Sequence, residues 1–176
     1  DDLRSYAYDD GPLPIGEGQT ISQPYIVALM IEAAGVRAGG RVLEVGAGSG
    51  YAAAVMSRIA ARVHAIERHE RLAAQARERF ARLGYDNIDL RAGDGSGGWP
   101  EAAPFDAIGV SAGAPETPEA LKAQLAVGGA LVAPIGGRDG QQLLKITRLS
   151  DSAYRTDDLG AVIFVPLVGA RGWPEA

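Results

Sequence analysis

The sequence predicts an α/β fold with a mainly parallel sheet, closed at its C-terminal end by an antiparallel pair. Three observations carry that reading. From about Gln23 onward, short β-branched runs alternate with longer Ala-rich stretches, the pattern of strands joined by helical crossovers. The run RVLEVGAGSGY, from Arg41 to Tyr51, passes from an apolar strand through alternate glycines into a helix-prone segment. In the last third, Gly136 to Gly140 contains an Asp-Gly pair and reads as a turn between two apolar runs, which calls for an antiparallel strand.

The elements follow in order. A helix over Pro24–Ala34 begins with proline, whose missing N–H is no loss in a first turn. Strands are predicted over Arg41–Val45, Arg62–Glu67, Ile88–Ala92, 105–111 and 130–135, with helices over 51–60, Glu70–Leu83 and 117–126 between them. In Glu70–Leu83 the residues Leu72, Ala76, Phe80 and Leu83 recur at helical spacing, with Arg and Glu on the other face. The apolar runs 143–149 and 161–168 supply the antiparallel strands. The segment 93–98, which includes DGSGG, is too short to separate domains and reads as a loop.

Composition narrows the function classes. At 176 residues the chain fits one domain with a sizeable core, and its 47% apolar and 22% charged content is ordinary for a globular protein. A net charge of -5 offers no whole-chain attraction to nucleic acid or anionic membrane. The absence of cysteine rules out disulfides and thiolate chemistry, and two histidines, His64 and His69, cannot alone make a structural zinc site, so no metal is expected. Both histidines read as structural or surface residues, and Trp99 and Trp173 as packing or loop anchors. No apolar run approaches a spanning helix, and the acidic start DDLRSYAYDD lacks the regions of a signal peptide. The expectation is a cytoplasmic, monomeric enzyme.

Candidate cofactor residues come from the strand ends. Gly46, Gly48 and Gly50 let the backbone turn sharply and approach a ligand closely. Their spacing is G-x-G-x-G, with Ser49 inside it. A dinucleotide fingerprint would need glycine where Tyr51 stands. Glu67 closes the second strand 17 residues after Gly50, where a carboxylate can accept from both hydroxyls of a ribose, in NAD or in S-adenosylmethionine alike. Asp94-Gly95 follows the third strand, and the Asp94 carboxylate could accept from an adenine amino group. Glu44, on a mostly apolar strand two residues ahead of Gly46, is expected to point toward the glycine loop or the amino end of the cofactor, since an unpaired buried carboxylate is costly.

The pattern LEVGAGSGY, with Glu44 before the glycines, resembles motif I of the class I S-adenosylmethionine-dependent methyltransferases. With YDDGPLPIGEGQTISQPYIVALM before it, and AIER, GDG, FDAIGVSAGAP, QLAVGGALVAPIG and VIFVPLVG after it, the chain resembles the protein-L-isoaspartate O-methyltransferase family from about Tyr6 to Gly169. Gly109 and 111–113 depart from residues common in that family, and the helical segment that usually precedes the Tyr6 region does not stand in this sequence. The resemblance implies a Rossmann-like seven-stranded mixed sheet with helices on both faces. It divides one methyltransferase domain, 1–176, into a substrate-side lead-in (1–22), a cofactor-binding core (41–135) and C-terminal strands with a docking segment (136–176). It also implies methylation of the free α-carboxylate of an L-isoaspartyl residue in damaged proteins or peptides. The products are S-adenosylhomocysteine and an ester that re-forms succinimide unaided. By the same resemblance Ser22 is the active-site serine, Thr20 and Ile21 lie beside it on the substrate side, and Val165, Pro166 and Leu167 form the peptide-docking strand.

The chemistry suits such a site. A carboxylate with a pKa of roughly 4 is already ionised at neutral pH and needs no general base. Carboxylate and sulfonium become neutral as the methyl moves, so a strong cationic clamp would stabilise the ground state instead. Neutral hydroxyls and N–H groups are the better partners, and Thr20 and Ser22, two apart on an extended segment, project to one face. Read locally, residues 20–22 could equally lead into and cap the helix at Pro24. Two other activities compete. A peptide aspartate methyltransferase of a modified natural product shares the scaffold but carries extra C-terminal segments. An NAD-linked oxidoreductase explains Gly46 to Glu67 but not Tyr51, GQTIS or FVPL.

Overall fold

The computed structural model describes residues 3–175. After a short 3-10 turn at Arg4–Tyr6 come β1 (Leu13–Gly16), β2 (Gln19–Ile21), α1 (Pro24–Ala34), β3 (Arg41–Val45), α2 (Tyr51–Ser57) and β4 (Arg62–Glu67). Then follow α3 (Glu70–Leu83), β5 (Ile88–Ala92), a second 3-10 turn (Pro100–Ala102), β6 (Phe105–Val110), α4 (Glu119–Lys122), β7 (Leu125–Gly137), β8 (Gly140–Arg148) and β9 (Tyr154–Val162). The main sheet has seven strands in the order β5-β4-β3-β6-β7-β8-β9. Pairing is parallel from β5 to β7 and antiparallel through β8 and β9. This is the expected mixed Rossmann-like sheet.

Alternating side chains give the sheet two buried faces. On one, Met30 of α1, Met56 of α2 and Phe80 of α3 pack on Val42, Val63 and Val132. On the other, Leu43, Val45, Ile108 and Leu131 meet Leu121 of α4, Leu125 and Trp99. Helical cover is heavy on the first face and light on the second, where α4 is a single turn. Both α1 and α3 end as expected, with Gly35 and Gly84 in the left-handed conformation accepting the chain reversal.

Three stretches differ from the sequence expectation. The helix expected over 117–126 is confined to Glu119–Lys122, because Leu125 is fully buried and already paired with Phe105 at the start of β7. The apolar run 161–168 is not a strand throughout. The strand is the polar β9, whose residues alternate in exposure along the sheet edge, and the chain leaves the sheet after Val162. Pro166 has no N–H for a ladder, and the Phe164 N–H donates to Gln141 Oε1 at 2.8 Å. The hairpin β1–β2 was not foreseen. It stands apart from the main sheet, turning through Glu17 at φ 52 and reaching α3 through a Glu17–Arg71 ion pair of 3.3 Å.

The site is set by topology. From β3 the chain runs outward through β4 and β5, then returns to β6 on the other side of β3 and continues to β7. Loops leaving β3 and β6 therefore diverge, opening a crevice at their carboxyl ends, the place where open α/β sheets bind ligands. Among the described residues no helix is long and apolar enough to cross a membrane.

Candidate functional site

The loop after β3 is tied to the neighbouring strand. The N–H groups of Gly46 and Ala47 both donate to the Ile66 carbonyl, at 2.9 and 3.1 Å, and the Gly48 N–H donates to Glu67 Oε2 at 2.7 Å. Two of the glycines are required sterically. Gly48 has φ +53, and a Cβ there would lie 3.0 Å from Ile15 Cδ1 of the overlying hairpin. Gly50 has φ +82, and its Cβ would enter the Phe80 ring at 2.5 Å. Gly48 thus keeps the loop open beneath the hairpin, while Gly50 lets α3 lie close against the start of α2.

A cavity of about 280 Å³ opens above this loop. It gathers Thr20, Gly46, Gly48, Glu67 and Gly95 with Val165, Pro166 and Leu167, residues from five separate stretches of sequence. A smaller cavity of about 40 Å³ continues from it through Thr20, Gly46, Gly48 and Ser111, and adds Ile21, Ser22, Glu44 and Ser49. Gly50 and Asp94 line neither.

The three acids differ in their surroundings. Glu67 is 5% exposed; its Oε2 accepts from Gly48 and its Oε1 from the His69 N–H at 2.8 Å. Each oxygen keeps a further lone pair for a ligand hydroxyl. Glu44 is 1% exposed, and its Oε2 has no hydrogen-bond partner. Burial and the nearby Glu67 charge push its carboxyl up to about 8, against the opposing pull of the Ala53 N–H and the Ser111 hydroxyl. Asp94 serves the chain itself: Oδ1 accepts from Ser96 N–H at 2.8 Å and Oδ2 from Ala170 N–H at 2.7 Å. Burial opposes the Asp94 charge, but these N–H groups, the Ser96 hydroxyl and Arg68 hold its carboxyl below the usual range.

The substrate-side residues form a second surface. A groove of about 210 Å³ runs from Thr20, Ser22 and Gln23 past Ser111 to Phe164 and Val165, and none of its lining residues is charged. Ser22 does not cap α1. Gln23 is the N-cap and makes no side-chain capping bond; its Nε2 donates instead to Asp10 at 2.7 Å, and Asp10 also accepts from the Tyr25 N–H at 2.9 Å. Ser22 lines the small cavity behind the glycine loop as well as the groove. Gly113 fixes the wall opposite: its N–H donates to the Val165 carbonyl at 2.7 Å, and its carbonyl accepts from Leu167 N–H at 2.8 Å and from Trp173 Nε1 at 3.0 Å.

Sequence reading missed Ile15, Gln19 and Ser111 as lining residues. Ile15 and Gln19 had no local signal, because the hairpin was not recognised. Ser111 did have one: it is the last residue of the strand predicted over 105–111, at the same sheet edge as Gly46 and Glu67. His64 lies away from the site, edge-on to Trp99 and Phe105 at centroid distances of 5.2 and 5.6 Å. Among the described residues no cluster of three or more His, Asp or Glu could hold a metal ion.

A glycine cradle and a paired ribose-type acid around one crevice, with Glu44 buried behind the glycine loop, fit an adenosyl cofactor. Comparison with known proteins gives the same direction. Residues 1–172 match the family described as protein-L-isoaspartate(D-aspartate) O-methyltransferase. The chain is 62% identical over 173 residues to a protein-L-isoaspartate O-methyltransferase of Pelotomaculum thermopropionicum, covering 98% of this chain and 76% of the relative. A solved protein-L-isoaspartate O-methyltransferase superposes with a TM-score of 0.87 at 35% identity, covering 96% of this chain and 56% of that one. A Plasmodium falciparum structure assigned to the same enzyme, in complex with S-adenosyl-L-homocysteine, gives 0.80 at 32% identity, covering 92% and 81%.

Proposed function

The chain belongs to the protein-L-isoaspartate(D-aspartate) O-methyltransferase family, and we propose that it moves a methyl group from S-adenosylmethionine to the free α-carboxylate of L-isoaspartyl residues in damaged proteins or peptides. It acts as a monomer in the cytoplasm, with residues 1–176 read as one methyltransferase domain. The observation that carries this reading is the junction itself: the Glu67 cavity and the uncharged groove share Thr20, Ser111 and Val165.

When bound, S-adenosylmethionine supplies an electrophilic methyl on a sulfonium. The chain's part is to hold and orient. Glu67 takes the ribose hydroxyls, and Gly46, Gly48, Ser49 and Gly95 shape the bed. Gly50 and Asp94 support it indirectly, one through α3 and the other by tying down Ala170. Thr20 and Ser22 grip the isoaspartyl carboxylate and aim one oxygen at the junction. Ile21 and the Val165-Pro166-Leu167 wall seat the peptide on either side. No proton must be removed from an ionised carboxylate, so no base is needed. The absence of charge along the groove keeps the anion from being held more tightly in the ground state than in the transition state.

The test is methyl transfer from labelled S-adenosylmethionine to two peptides that differ only in L-isoaspartate or L-aspartate. We expect methylation of the isoaspartyl peptide alone, and a fall in turnover of about a hundredfold in Ser22→Ala with cofactor affinity unchanged. Methylation of neither peptide, despite cofactor binding, would refute the assignment.

A further inference from the structure

We propose that Ser111 is a further substrate-positioning residue, a third hydroxyl donor to the isoaspartyl carboxylate beside Thr20 and Ser22, and that the uncharged acid form of Glu44 turns the Ser111 proton toward the substrate. The proposal rests on the isoaspartyl methyltransferase reading above and names a residue that reading does not use.

Position is the first argument. Ser111 follows β6 at the point where the strand order reverses, and its N–H donates to the Val45 carbonyl at 2.8 Å, holding it beside Gly46. It borders the cofactor cavity, the small cavity behind Ser22 and the substrate groove. Ser22 borders the latter two but not the first. A hydroxyl that touches both compartments stands where the carboxylate meets the methyl. The carboxylate has two oxygens, so donors on two sides fix its plane as well as its place.

The second argument is the acid behind it. Glu44 Oε2 is buried without a partner, and Glu44 and Ser111 line the same two small cavities. From the elements packed round it, Glu44 faces the Glu67 carboxylate of β4, the Ala53 N–H of α2 and the Ser111 hydroxyl. The α1 face presents Val27 and Met30, and Tyr51 borders the smaller space. A serine hydroxyl has one proton to donate. If Glu44 is ionised, that proton is drawn to Glu44, and the oxygen left toward the substrate repels the carboxylate. If Glu44 carries its own proton, it can donate to Ser111 Oγ, and the Ser111 proton is free to meet the substrate. Burial favours the second arrangement at neutral pH, with the changeover at about 8.

The experiment measures kcat/KM for the isoaspartyl peptide across neutral and alkaline pH in the native enzyme, Ser111→Ala and Ser111→Thr, with cofactor affinity followed by calorimetry. We expect Ser111→Ala to lose on the order of tenfold to a hundredfold at neutral pH, the loss of one hydrogen bond to a charged group, with cofactor affinity unchanged. The native decline on the alkaline side should flatten in Ser111→Ala and return in Ser111→Thr, which restores the hydroxyl. Native activity with Ser111→Ala fully active, or with its alkaline decline unaltered, overturns this proposal alone. A native enzyme that binds cofactor but leaves the isoaspartyl peptide untouched overturns the functional reading and this proposal together.

Discussion

Replacing Glu44 by glutamine should stabilise the protein increasingly as pH rises. In the folded chain burial and the Glu67 charge raise the Glu44 carboxyl from 4.5 to about 8. The unfolded chain keeps the ordinary value. Because the folded value is raised, the acid form's contribution is fully present below pH 4.5 and is lost as pH climbs toward about 8, while the unfolded state releases a proton that the folded state retains. At about 1.4 kcal/mol per pKa unit, roughly 2.5 units separate the two states' proton binding between pH 5 and pH 8, which amounts to about 3–4 kcal/mol. Glutamine has nearly the same shape and does not titrate. Urea unfolding of native and Glu44→Gln proteins at the two pH values reads this contribution together with its coupling to Glu67, since titrating groups away from Glu44 cancel in the difference. The variant's stability relative to native should improve by about 3–4 kcal/mol from pH 5 to pH 8. An equal difference at both pH values would refute the claim that Glu44 is buried as a neutral acid.

Other expectations concern packing and the C-terminal latch. Gly50→Ala should cost about 2–4 kcal/mol in urea unfolding, through strain at φ +82 and collision with Phe80. Gly109→Ala should instead gain about 0.5–1 kcal/mol, because Gly109 lies inside β6 and a Cβ there meets nothing within 4 Å. For Asp94 the folded carboxyl lies below its usual range, so its contribution is present above the unfolded value and lost as pH falls through the folded one. In a Trp99→Phe background, Trp173 fluorescence should report loosening of the Ala170 segment only as pH falls below the ordinary carboxylate range, and Asp94→Ala should show it already at neutral pH.

The most local elements were the most legible. Arg41–Val45, Arg62–Glu67, Ile88–Ala92, Pro24–Ala34 and Glu70–Leu83 are found at their expected bounds, because each is an apolar period ended by glycine or a turn. Elements held by remote partners were misjudged. Leu125 reads as helical from its neighbours, yet pairs with Phe105; residues 163–168 read as a strand, yet bond to Gly113 and Gln141. The polar β9 has no apolar run to announce it, since an edge strand buries little.

By its own pattern the sequence determined the succession of strands and helices along the chain, the glycine loop and the acid that closes β4, since these depend on residues close along the chain. Tertiary structure alone decided how the acids are employed. Asp94 is held by Ala170, 76 residues away, while Glu44 is left buried with an orphaned oxygen. It also placed Ser111 between the two compartments, because strand order, unlike strand identity, is settled only when the sheet assembles. A carboxylate's charge and partners depend on what surrounds it in space, and neighbours in sequence do not specify that surrounding.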